Sequence, residues 1–167
     1  MTVYMNAAQT LLTCLETALN ARANPPGSIM LRAGQEVTPL LGTSKDECCE
    51  GLAWVRIAGV VQRSTFASVG ECIGVGRRLT LEMGVVRCAP SADASSVPTE
   101  EQWTNAALQL DSDHDAMEEA LCCLASAEDW DTMPVLGADG YRPTGVDGNC
   151  IGGIMTVELE VDCGCQA

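Results

Sequence analysis

Basic residues are what this sequence has least of. It contains one lysine, Lys45, one histidine, His114, and eight arginines in 167 residues. Twenty-three acidic residues set against those nine Lys and Arg give a net charge of −14. Phosphate contacts need Lys and Arg, so so small a basic complement excludes a nucleic-acid backbone binder. It also excludes a protein held on an anionic membrane surface. With one histidine, a Ser-His-Asp or Cys-His centre has only His114 to use. His114 stands among acids on a predicted helix, no Gly-x-Ser-x-Gly turn occurs, and it reads as a surface histidine.

Long apolar runs are missing too. No stretch reaches the roughly 20 residues of a membrane span. The first twenty residues carry no basic segment and hold Glu16 inside their apolar pattern, unlike a secretory signal. Synthesis in a cytoplasm is the expectation.

Nucleotide and metal motifs are absent or broken. No Gly-x4-Gly-Lys-Ser/Thr loop occurs. Gly74-Val75-Gly76 continues as Arg77-Arg78-Leu79 and opens a strand, the wrong setting for a dinucleotide. Asp111 to Asp115 begin like a calcium loop, but its sixth and twelfth positions hold Ala116 and Cys122 in place of Gly and Glu. Ten cysteines include two adjacent pairs, Cys48-Cys49 and Cys122-Cys123, yet no Cys-x2-Cys knuckle of a zinc site. Neither an enzyme nor a cofactor is expected.

What is present is a globular chain, 47% apolar and 19% charged, of the size of one domain. Residues 1–167 read as a single domain without an internal repeat or linker. Ala8, Leu11, Leu12, Leu15, Ala18 and Leu19 recur at helical spacing and predict a helix over 4–22, stopped by Asn24-Pro25-Pro26-Gly27. Residues 28–47 read as a loop and 48–62 as a strand. Residues 63–76 read as an exposed loop. Leu79, Leu81, Met83 and Val85 alternate with polar residues and predict a strand over 77–89.

A helix over 99–127 follows, with Thr99 and Gln102 at capping-box spacing. Its apolar stripe runs from Trp103 through Leu110 and Met117 to Leu124, with Asp111, Asp113, Asp115, Glu118 and Glu119 on the solvent side. Residues 128–150 read as irregular. Met155, Val157, Leu159, Val161 and Cys163 share one face of a last strand, 151–163. Trp54, Trp103 and Trp130 read as core or interface anchors. The fold class expected is α+β: one antiparallel sheet with two main helices packed on one face.

The cysteines read first as buried thiols acting as small apolar residues. Disulfides would need oxidising surroundings. If the strands at 48–62 and 77–89 form a hairpin, and the last strand lies antiparallel beside 48–62, then Cys48, Cys49, Cys88, Cys163 and Cys165 gather at one sheet end, in or near disulfide reach. The polar strand faces carry Glu82, and Glu158, Glu160 and Asp162, which need solvent or a wet lumen.

This element order, with the segments CCEGLAWVRI and LTLEMGVVRCAP, resembles the tail terminator proteins of long-tailed (siphovirus-type) bacteriophages and the head-to-tail connector proteins of phages infecting actinobacteria. The resemblance implies a structural virion protein of the phage neck, assembled in the host cytoplasm. In that family a homohexameric ring caps the tail tube and docks to the head connector. It implies as partners further copies of the chain, the tail tube protein and a head-completion or connector protein, with DNA passing through without specific binding and no membrane. Glu82, Glu158, Glu160 and Asp162 would then line an acidic lumen. A head-completion stopper, a tail-tube protein, or a Cys-rich metal- or ligand-binding module are the alternative readings.

Overall fold

The computed structural model describes residues 3–33, 48–62, 75–91, 97–127, 135–147 and 149–163. Helix α1 spans Val3–Asn20. Its buried residues, Ala7, Ala8, Leu11, Leu12, Cys14, Leu15, Ala18 and Leu19, form the stripe that the spacing predicts. After Pro25-Pro26-Gly27 the chain enters β1, Ser28–Arg32, then β2, Leu52–Gln62, and β3, Val75–Cys88. Helix α2, Glu100–Ala125, β4, Val135–Asp147, and β5, Cys150–Cys163, complete the order.

The five strands form one sheet in the order β1-β2-β3-β5-β4. The α+β class holds, but two features correct the expected sheet. The sheet is mixed: β1 runs parallel to β2, and the other neighbours are antiparallel. It also has five strands, because β1 and β4 form from segments that read as loop and irregular chain. β4 is an edge strand with three register irregularities and carries Pro143, which an edge tolerates.

Both helices pack on one face. There Ala53 and Val55 of β2, Leu79, Leu81, Met83 and Val85 of β3, and Met155, Val157, Leu159 and Val161 of β5 meet the buried stripes of α1 and α2. The helix-free face holds a second, smaller cluster of Leu52, Trp54, Val86, Cys48 and Cys150. Gly84 makes room for it: a Cβ there would run into the Trp54 ring.

Helix α2 opens on the predicted capping box. Thr99 Oγ1 accepts from the Gln102 backbone N–H at 3.3 Å, and Gln102 Oε1 accepts from the Thr99 N–H at 2.8 Å. A cap of this kind contributes about 1 kcal/mol. The stripe is only half covered, however. The buried residues of α2 are Asp113, Ala116, Met117, Ala120 and Leu124, all in its C-terminal half. Trp103 is 43% exposed and Leu108 63%. None of residues 100–112 is buried, although Ala106, Gln109 and Leu110 are partly covered.

The helices run antiparallel. A disulfide joins Cys14 to Cys123, Arg22 pairs with Glu119 at 2.8 Å, and Asn24 Nδ2 donates to Gln109 Oε1 at 3.1 Å. Among the described residues, no helix is long and apolar enough to cross a membrane.

Candidate functional site

Alternation along the strands decides which acids share the helix-free face. Glu82 stands there between Arg56 of β2 and Thr156 of β5. Its two carboxylate oxygens accept from Arg56 Nε at 2.7 Å and Arg56 Nη2 at 2.8 Å. Both residues are 8% exposed. Glu82 is therefore half of a buried bidentate pair and not a free acid facing water, which corrects its place in the expected lumen set. The physical reason is desolvation: a carboxylate buried to this degree needs a hydrogen-bonded partner of opposite charge.

The β5 acids differ. Glu158 is half-exposed and bridged to Arg78 at 3.2 Å. Glu160 is half-buried and stands opposite Arg78 in the register. Asp162 lies opposite Gly76 by its backbone. Thr156 Oγ1 donates to Asp139 Oδ2 of β4 at 2.9 Å, adding a further acid at the sheet edge. The helix-free face is thus a graded surface: apolar around Trp54, then the Arg56–Glu82 pair, then the Arg78, Glu158 and Glu160 group.

Cysteines close one end of the sheet. Cys49 is bonded to Cys88 and Cys48 to Cys150, and Cys88 and Cys150 are themselves register partners. The adjacent cysteines sit in a turn, and one reaches the end of β3 while the other reaches the start of β5. Gly51 follows at φ 81°, a conformation that favours glycine, where a Cβ would also press on Arg87 and Pro26. Among the described residues six cysteines are thus disulfide-bonded, which corrects the expectation of buried thiols, and Cys122 is free and exposed.

Cys163 does not join them. It stands opposite Val75, the full length of β3 away from Cys88, about 40 Å at roughly 3.3 Å per residue. The reason is strand order: β5 pairs with β3, not β2, so its C-terminus points to the other end of the sheet. Cys165 lies outside the described residues. A sulfur held in a disulfide is not a thiolate and offers no metal ligand of the kind zinc sites use.

The helix-covered face hides a polar group that charge patterning missed. Asp113, expected on the solvent side, is 1% exposed. Arg87 Nη2 donates to its Oδ1 at 2.6 Å and Arg87 Nε to its Oδ2 at 2.8 Å, while Gln109 Nε2 donates to Oδ1 at 3.2 Å. Tyr141 of β4 lies over Gly153, where any Cβ would meet its ring, and its ring centroid is 4.7 Å from that of His114. Burial, and then the nearby Asp113 charge, push the Tyr141 phenol up to about 12. Both oxygens of Asp113 are thus engaged. The group fastens α2 to β3 and β4.

Comparison with protein-family models and with curated proteins finds no match to the chain.

Proposed function

We propose that this chain is a structural protein of the neck of a long-tailed bacteriophage. In this reading it forms a homohexameric ring that caps the tail tube, joins the tail to the head-completion or connector protein, and lets DNA pass through. The observation that carries the reading is the two-sided sheet: both helices lie on one face, and the other bears Glu158 and Glu160 of β5. A ring built with that face inward has a wall whose acids repel phosphate and prevent long-lived contacts with DNA. The net charge of −14 has the same sign. The three disulfides among the described residues suit a particle that meets oxidising surroundings after release. The lumen set becomes Glu158, Glu160 and Asp162, with Glu82 removed to its pair with Arg56.

Two measurements test this. Gel filtration with light scattering on the purified chain is expected to give the mass of a closed ring. Particles carrying Glu158→Lys, Glu160→Lys and Asp162→Lys together are expected to assemble but to eject DNA slowly. Normal ejection from normally assembled particles would remove the acidic wall, and a monomer at high concentration would remove the ring.

A further inference from the structure

Two apolar surfaces stand uncovered among the described residues, and the helix pairing puts them at opposite ends of the helical layer. The first is a ridge, the N-terminal half of α2. Trp103 there is 43% exposed, and Val97, just ahead of the helix, is 82% exposed. Trp103 and Leu110 continue the stripe that Met117 and Leu124 bury further along. A helix gains most of its stability by packing such a stripe, so a half-covered one has an unmet partner. Glu100 and Glu101, both exposed, precede Trp103.

The second surface is a groove of about 340 Å³ between α1 and the β1–β2 edge, lined by Met5, Ala8, Leu31, Arg32, Arg56 and Ile57. Met5 is 38% exposed. Two arginines line it: Arg56 is paired with Glu82, while Arg32, partly exposed, has no ion-pair partner among the described residues. A partly exposed guanidinium with no carboxylate beside it favours one brought by a partner.

Ridge and groove cannot meet within one copy. Cys14 lies against Cys123 and Asn24 against Gln109, so the α1 N-terminus sits by the end of α2 from which the ridge points away. We infer that the ridge of one copy seats in the groove of the next, with Trp103 in the apolar part and Glu100 or Glu101 accepting from Arg32. The occupant is a second copy because the complement is already present on the chain: an acidic apolar ridge and an apolar groove with an arginine that lacks an ion-pair partner among the described residues. The contact is heterologous, one patch against a different patch, which is what a cyclic ring requires. It rests on the ring reading for closure and names the surfaces that make it.

The test uses the full chain and light scattering at a concentration where the parent assembles. Trp103→Glu and Arg32→Glu are each expected to weaken association at least tenfold, with unchanged circular dichroism. An equimolar mixture of the two is expected to form a one-to-one complex that grows no further, since one copy keeps a groove and the other a ridge. Should Arg32→Glu fail to fold, the exposed double change Glu100→Arg with Glu101→Arg takes its place and is expected to dissociate the assembly. A parent that assembles while all these variants assemble equally well would overturn this contact and leave the ring standing. A mixture that stays monomeric would overturn the head-to-tail pairing. A parent that is monomeric at every concentration would overturn both the ring and the contact.

Discussion

Asp113 and Arg87 meet through two charge-assisted hydrogen bonds, of 2.6 and 2.8 Å, where α2 crosses the end of β3. The carboxylate is 1% exposed, so the pair is a buried bracket between the two layers. Removing one partner strands the other charge away from water, which costs about 3–5 kcal/mol. Asp113→Ala is therefore expected to lower unfolding stability by that amount in a denaturant titration. Arg87→Met combined with Asp113→Leu should recover most of the loss, because no orphan charge remains. Equal losses in the single and double variants would show that the bracket is not the source.

The half-covered stripe of α2 sets an order of sensitivities. Met117 is fully buried, and Leu110 only partly. Met117→Asp is expected to cost several kcal/mol by burying an unpaired charge. Leu110→Asp is expected to cost clearly less in the dissociated chain. Thermal melts of the two variants at low protein concentration check the order, and a Met117→Asp variant that melts like the parent would show that α2 does not close the core.

Tyr141 gives a signed pH dependence. Its phenol is pushed up to about 12 from an ordinary value near 10. Below about 10 the group is protonated in both folded and unfolded chains and has no effect. Between about 10 and 12 the unfolded chain releases the proton and the folded one keeps it, so stability falls as pH rises through that window. Tyr141→Phe is expected to remove this part of the alkaline slope. The same change should leave neutral-pH stability equal or higher, since the Tyr141 hydroxyl is buried without a hydrogen bond. A marked loss of neutral-pH stability in Tyr141→Phe would contradict this.

The cysteine assignment predicts a labelling pattern. In the native, unreduced chain an alkylating reagent is expected to modify Cys122 and to leave Cys14, Cys48, Cys49, Cys88, Cys123 and Cys150 untouched. The Cys14–Cys123 bond closes a separation of 109 residues, and its loss should cost on the order of 2–5 kcal/mol. Peptide mapping of the labelled chain and a denaturant titration of Cys14→Ser with Cys123→Ser read the two outcomes.

Periodicity made α1, β3, α2 and β5 legible, because each buries one face and repeats its apolar residues at 3.6 or 2, and β2 was legible from its run of β-forming residues. It did not reveal β1, whose five residues are too few for a pattern. Nor did it reveal β4, whose Gly137, Gly140, Pro143 and Gly145 are turn residues held extended by pairing with β5. The buried bracket was within reach. Asp113 falls between Leu110 and Met117 at the three- and four-residue steps of the stripe, and Arg87 continues the inward phase of Leu81, Met83 and Val85. An acid on one apolar stripe and a base on another are a sign of a buried pair, obscured here by the many acids around Asp113. The fate of Cys163 depended on strand order, which no local pattern encodes.

Two of the crosslinks have a joint effect on the connectedness of the chain. Cys14 is tied to Cys123 and Cys48 to Cys150, so every peptide bond between Cys14 and Cys150 is spanned by at least one crosslink. A single scission anywhere in that stretch, by a protease or by chemical wear, releases no fragment. A subunit nicked in this way keeps both halves attached, and wear at one bond does not by itself cost an assembled particle a piece of its wall.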